Sequence, residues 1–122
     1  MSKKILVVDD EPDILYTVGQ MLEMSGYEVI RAKDGSECLD KMSELETDPD
    51  LIILDIMMPN VSGWDVAAKI KENPQWKDIP IVFLTAKGDT MSKGMGGLAA
   101  VDYITKPFDI NDLVVRVKRI LK

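Results

Sequence analysis

The feature that most constrains this chain is an alternation. Short β-like runs at Lys4–Val8, Tyr27–Ala32, Leu51–Leu54, Ile81–Leu84 and Val101–Thr105 are separated by longer stretches, most of them with helical periodicity. The first helix opens at Pro12, a residue suited to a first turn, and repeats Ile14, Leu15, Val18, Met21 and Leu22 at helical spacing before Gly26 stops it. A second helix is capped by Asp34 and carries Cys38, Leu39, Met42 and Leu45; a third starts near Ser62–Trp64 with Val66, Ala67 and Ile70. The segment 87–99 is poorly patterned, and a last helix begins at Asp109 with Ile110, Leu113, Val114, Val117, Ile120 and Leu121 on its apolar face.

Strands alternating with helices imply a parallel sheet covered on both faces. The first, third and fourth strands are apolar throughout and should be central; the second and fifth alternate and should be edges. Right-handed crossovers then give the order 2-1-3-4-5, an α/β, doubly wound, flavodoxin-like (βα)5 sheet. With 122 residues and 13.6 kDa, the chain is expected to form one domain over 1–122, because it is too short for two cores. In such sheets a ligand binds beyond the carboxyl ends of the strands where the order reverses, here between the first and third.

Composition removes several function classes. Hydrophobic residues are 46% of the chain, enough for a core, so disorder is not expected. No apolar run approaches the ~18–20 residues of a membrane span, and Ile5–Val8 gives way to Asp9 too soon for a secretory signal. The single cysteine, Cys38, allows no internal disulfide, which fits a cytoplasmic setting. With 15 basic and 21 acidic residues the net charge is -6, which opposes direct nucleic-acid binding. The absence of histidine excludes histidine catalysis and histidine metal sites.

At the carboxyl ends of the strands stand Asp9, Asp10 and Glu11, then Asp55, Thr85 and Lys106. Clustered carboxylates repel one another, which raises a pKa or calls for a cation. An all-oxygen site without His or Cys suits Mg²⁺ rather than zinc. A carboxylate beside Mg²⁺ and a lysine can attack a phosphoryl group and become an aspartyl phosphate. Each residue alone has an ordinary explanation, such as a capping pair, a turn residue, a surface lysine or an edge-strand aromatic. Their convergence does not.

The residues VVDDEP (Val7–Pro12), LDIMMPNVSG (Leu54–Gly63), LTA (Leu84–Ala86) and YITKPF (Tyr103–Phe108), in this order at strand ends, resemble the receiver domain of response regulators in two-component signalling. The resemblance covers essentially the whole chain. It implies a switch that accepts a phosphoryl group on Asp55 from the phosphohistidine of a sensor histidine kinase or phosphotransfer protein, then alters its binding of a downstream protein. It implies Mg²⁺ held directly by Asp10, Asp55 and the Met57 carbonyl, with Asp9 acting through metal-bound water. Lys106 would contact the phosphoryl oxygens, Thr85 would move to bond them, and Tyr103 would be the aromatic linked to Thr85. The Lys106–Pro107 bond would be cis. Met57 and Lys87, two positions after the acceptor and the threonine, would help set the phosphoryl lifetime. The chain would catalyse its own phosphorylation and hydrolysis without being an enzyme for a separate substrate.

The chain departs from the family around residues 88–99. Gly88, Gly94, Gly96 and Gly97 crowd the place of a helix, at about 1 kcal/mol per interior glycine relative to alanine. Ala99 stands where the family has glycine, and the loop from Thr85 to Lys106 is about one residue short. The chain ends with its last helix and so is expected to carry no output domain, as a stand-alone receiver or part of a longer protein. Three other functions fit less well. A Mg²⁺-dependent phosphatase using an aspartyl phosphate would pair its nucleophile with a second Asp where this chain has Met57. A flavin carrier would need a Ser/Thr/Gly-rich loop where Asp9–Asp10–Glu11 stand. A phosphorylation-independent scaffold would have no use for the acceptor, metal and lysine positions.

Overall fold

The computed structural model describes residues 2–86 and 102–122. Its elements are β1 (Lys4–Val8), α1 (Pro12–Met24), β2 (Glu28–Ala32), α2 (Gly35–Glu44), β3 (Leu51–Asp55), α3 (Gly63–Glu72), β4 (Ile81–Ala86), β5 (Asp102–Lys106) and α4 (Ile110–Ile120). The strands form one parallel sheet in the order β2-β1-β3-β4-β5, as the alternation predicts. The expected helix over the glycine-rich stretch, with Lys87, falls outside the described residues.

The three central strands are buried on both faces because successive side chains feed two different cores. Leu6, Val8, Ile52, Leu54, Ile81 and Phe83 pack under α2 and α3, together with Cys38, Met42, Val66, Ala67 and Ile70. Ile5, Val7, Leu51, Ile53, Val82 and Leu84 pack under α1 and α4, with Val18, Leu22, Leu113, Val114 and Val117. Cys38 is wholly buried, and burial pushes its thiol pKa up to about 12.

Local sequence sets the helix ends. Asp34 accepts from Glu37 N–H at 2.8 Å, while Glu37 Oε1 accepts from Lys33 N–H at 2.9 Å, a reciprocal start for α2. Ser62 and Asp109 cap α3 and α4 with their side chains. Gly26, at φ +100°, takes the left-handed turn after α1 that an L side chain rarely adopts.

Three strand ends differ from expectation. β3, β4 and β5 run on through Asp55, Ala86 and Lys106, so Asp55, Thr85 and Lys106 lie within strands rather than after them. Their backbones are still in the ladder, which pairs Asp55 with Leu84, Thr85 with Thr105 and Ala86 with Lys106. At the other termini, Leu45 and Leu121 cap their helices rather than extending them, and β2 starts one residue after Tyr27.

Candidate functional site

The carboxyl ends of β1, β3 and β5 bring Asp9, Asp10, Asp55 and Lys106 together. Each aspartate offers a carboxylate oxygen, and these oxygens lie within 4.8 Å of one another. Asp9 is completely buried and Asp55 is 3% exposed. Lys106 Nζ stands 2.9 Å from Asp9 Oδ2, 3.4 Å from Asp55 Oδ2 and 3.9 Å from Glu11 Oε1. One ammonium thus faces three carboxylates. The Lys106–Pro107 peptide that follows is cis.

Charge crowding shows in the proton affinities. Burial, then the negative charge of Asp9 and a hydrogen bond with Asp10, raises the Asp55 pKa to about 7, although Lys106 pulls it down. Burial by itself would lower the Lys106 pKa. The hydrogen bond and charge of Asp9, with the charges of Asp55 and Glu11, outweigh it and hold the ammonium above its ordinary value.

The donor set suits a hard divalent cation. Asp9 Oδ1 accepts from Glu11 N–H at 2.9 Å, and the buried Asp9 Oδ2 faces the Lys106 ammonium at 2.9 Å. One lysine shared among several carboxylates leaves net negative charge at the site, which favours a further cation. The three carboxylates could therefore hold a metal ion, and an all-oxygen set without nitrogen or sulfur fits Mg²⁺.

The loop after Asp55 is pinned at both ends. Ile56 N–H donates to Leu84 O at 3.1 Å and Gly63 N–H to Ile56 O at 2.8 Å. Between them Asn60 takes a left-handed φ of 71°, and Val61 N–H donates to Pro59 O at 2.8 Å. Met57 N–H reaches Asp55 Oδ1 at 3.3 Å while its side chain is 63% exposed.

Thr85 and Tyr103 lie beside the acidic cluster rather than in it. Thr85 is buried, and its hydroxyl donates to Thr105 Oγ1 at 3.4 Å. Tyr103 stacks on Phe83 with centroids 5.6 Å apart. Sequence reasoning did not single out Thr105 or Phe83. The signal was available in the register, because parallel pairing of β4 with β5 sets Thr85 opposite Thr105 and Phe83 opposite Tyr103. Glu11 was read as a strand-end carboxylate, and its approach to Lys106 adds it to the site.

The comparisons agree with this geometry. A family model described as the response regulator receiver domain matches residues 5–118. The chain is 47% identical over its whole length to the alkaline phosphatase synthesis transcriptional regulatory protein PhoP of Bacillus subtilis (strain 168), of which it covers 50%. It is 42% identical to the phosphate regulon transcriptional regulatory protein PhoB of Pseudomonas aeruginosa, again over its whole length and covering 53% of that protein. The chain thus spans about half the length of these curated relatives. Among solved structures, chemotaxis protein CheY4 of Vibrio cholerae superposes with a TM-score of 0.89 at 32% identity, covering 98% of this chain and 99% of that one. The response regulator TrrA of Thermotoga maritima superposes with a TM-score of 0.83 at 39% identity, covering 97% and 98%. These relatives are regulators rather than enzymes of metabolism, and among the described residues no helix is long and apolar enough to cross a membrane. With the fold, the site and these matches in agreement, the chain belongs to the response regulator receiver domain family.

Proposed function

We propose that residues 1–122 act as one receiver unit whose switch is thrown by phosphorylation of Asp55. The observation that carries this reading is the placement of Asp55 Oδ2 at 3.4 Å from Lys106 Nζ, inside a cluster of buried carboxylates. Asp55 attacks the phosphorus of a phosphohistidine on a sensor histidine kinase or phosphotransfer protein. An O–P bond forms as the P–N bond breaks, and the imidazole leaves with the electron pair. Lys106 offsets charge on the transferred oxygens. Asp10, Asp55 and the Met57 carbonyl would hold Mg²⁺ directly, and Asp9 would act through metal-bound water. When bound, Mg²⁺ supplies positive charge that brings the acceptor carboxylate and a phosphoryl group together. Support comes from the donor set and from TrrA, whose structure was solved in complex with Mg²⁺-BeF.

Thr85 then exchanges its 3.4 Å bond to Thr105 for one to a phosphoryl oxygen, and Tyr103 responds. The partner face changes, and an unidentified downstream protein reads the change. The chain speeds its own phosphorylation and hydrolysis but turns over no separate metabolite. Its setting is the cytoplasm, and these 122 residues make no direct nucleic-acid contact; the relatives named as transcriptional regulators are about twice as long. The test is incubation with acetyl phosphate and Mg²⁺ followed by intact mass. Wild type should gain one phosphate and Asp55→Asn none. An Asp55→Asn protein that gains one phosphate at wild-type yield overturns the assignment.

A further inference from the structure

Gly63 opens α3 directly against the acceptor. A Cβ at this position would stand 2.3 Å from Asp55 O and 2.7 Å from Ile56 Cα, so no residue with a side chain fits without moving the backbone of the acceptor. Gly63 N–H is also bonded to Ile56 O. The first turn of α3 therefore rests on the Asp55–Ile56 peptide with nothing compressible between them.

The next residue is Trp64, 6% exposed. Its ring lies 4.6 Å from Phe83, tilted by 53°, and 6.5 Å from Tyr103. Phe83 is completely buried and stacks on Tyr103 at 22°. Tyr103, by contrast, is 36% exposed. A continuous aromatic chain thus runs from a turn fixed on the acceptor backbone to a half-exposed ring on β5. It does not pass through Thr85.

We propose that Trp64 is a positioning residue of the switch: it couples the Asp55–Gly63 contact to the placement of the Tyr103 ring. The inference rests on Asp55 being the acceptor. The physical case is the rigidity of each step. Gly63 and Trp64 are adjacent in one helical turn, so a shift of the acceptor peptide moves both. A planar indole passes that shift to Phe83 and Tyr103, whereas a smaller, more flexible side chain would absorb it.

The experiment follows Tyr103 by fluorine resonance in fluorotyrosine-labelled protein, where Tyr103→Phe assigns its signal among the three tyrosines. Acetyl phosphate and Mg²⁺ are added, and intact mass reports phosphorylation in the same samples. In wild type and Trp64→Phe the Tyr103 resonance should shift on phosphorylation. In Trp64→Leu the phosphate yield should stay within twofold of wild type while the shift falls by at least half. A full shift in phosphorylated Trp64→Leu overturns the inference, as does an unmoved resonance in phosphorylated wild type. No phosphate on wild type overturns the acceptor reading beneath it. Should Trp64→Leu fail to fold, Trp76→Phe leaves Trp64 as the only indole. Its emission change on phosphorylation should be at least twice that in Trp76→Phe/Tyr103→Ala, and equal changes overturn the coupling.

Discussion

The two ends of the sheet handle charge in opposite ways. At the amino end, Lys4 N–H donates to Asp50 Oδ2 at 2.8 Å, and Lys4 Nζ reaches Thr47 O at 3.2 Å and Glu28 Oε2 at 4.0 Å. Gln75 Nε2 spans both oxygens of Asp48 at 3.2 and 3.1 Å. These carboxylates each have a donor and open water, and such pairs contribute little and are easily replaced. At the carboxyl end, two buried aspartates and the exposed Glu11 share a single lysine, with the Asp10 carboxylate close by. That crowding is unfavourable until a further cation offsets it. The same parallel sheet thus has a settled end and a poised end, and the chemistry sits at the poised one.

The largest test of the contrast is pH. Asp55 titrates at about 7 in the native protein but near ~4 when unfolded. Between those values the native state binds the extra proton, so this group's contribution to stability falls as pH rises through that window. At about 1.4 kcal/mol per pK unit, the loss is up to about 4 kcal/mol. Denaturant unfolding without Mg²⁺ should show it as a difference between wild type and Asp55→Asn that grows from pH 4 to pH 7, and added Mg²⁺ should shrink it. Parallel pH profiles for the two proteins would place the carboxyl end on the same footing as the amino end.

Lysine removal sharpens the comparison. Lys106→Ala leaves the buried Asp9 and Asp55 without their cation and should lower unfolding free energy at neutral pH by about 2–4 kcal/mol. Lys4→Ala removes a lysine about as buried as Lys106 but paired with an exposed carboxylate, Glu28, and should cost less, about 1 kcal/mol. Equal losses in the same denaturation series would mean that burial of the carboxylates makes no difference.

The smallest effect concerns Met57, the exposed apolar residue two positions after the proposed acceptor Asp55. Its side chain offers an attacking water no hydrogen bond, and hydrolysis needs a water in line with the phosphorus. Met57→Asn should speed loss of phosphate by roughly one to two powers of ten, equivalent to a contact of about 1–3 kcal/mol. Unchanged decay of the phosphorylated variant, followed by mass with saturating Mg²⁺, would show that water reaches the phosphorus without that side chain.

Most of the fold was legible because period and punctuation agreed. Continuous apolar runs marked β1, β3 and β4, while Asp34, Ser62 and Asp109 marked three helix starts. The acidic cluster was legible because strand order alone brings Asp9, Asp10, Asp55 and Lys106 to one edge. Strand ends were less so: the β-like runs stop just before the polar Asp55, Thr85 and Lys106, yet ladder bonding carries the strands on through them. Pairings that depend on register, Thr85 with Thr105 and Phe83 with Tyr103, needed the register itself. The contact of Gly63 with Asp55 O is a matter of tenths of an ångström, which no periodicity encodes.

The thiol of Cys38 has a consequence for how this domain opens. It is the chain's one cysteine, wholly buried beneath α2 against the sheet, with its pKa pushed up to about 12. Thiol reagents attack the thiolate, so the native molecule presents them neither access nor the reactive form. Labelling must therefore wait for α2 to leave the sheet. The rate at which Cys38 is alkylated in otherwise native solution is a stopwatch for that departure, set within the core and requiring no engineered probe.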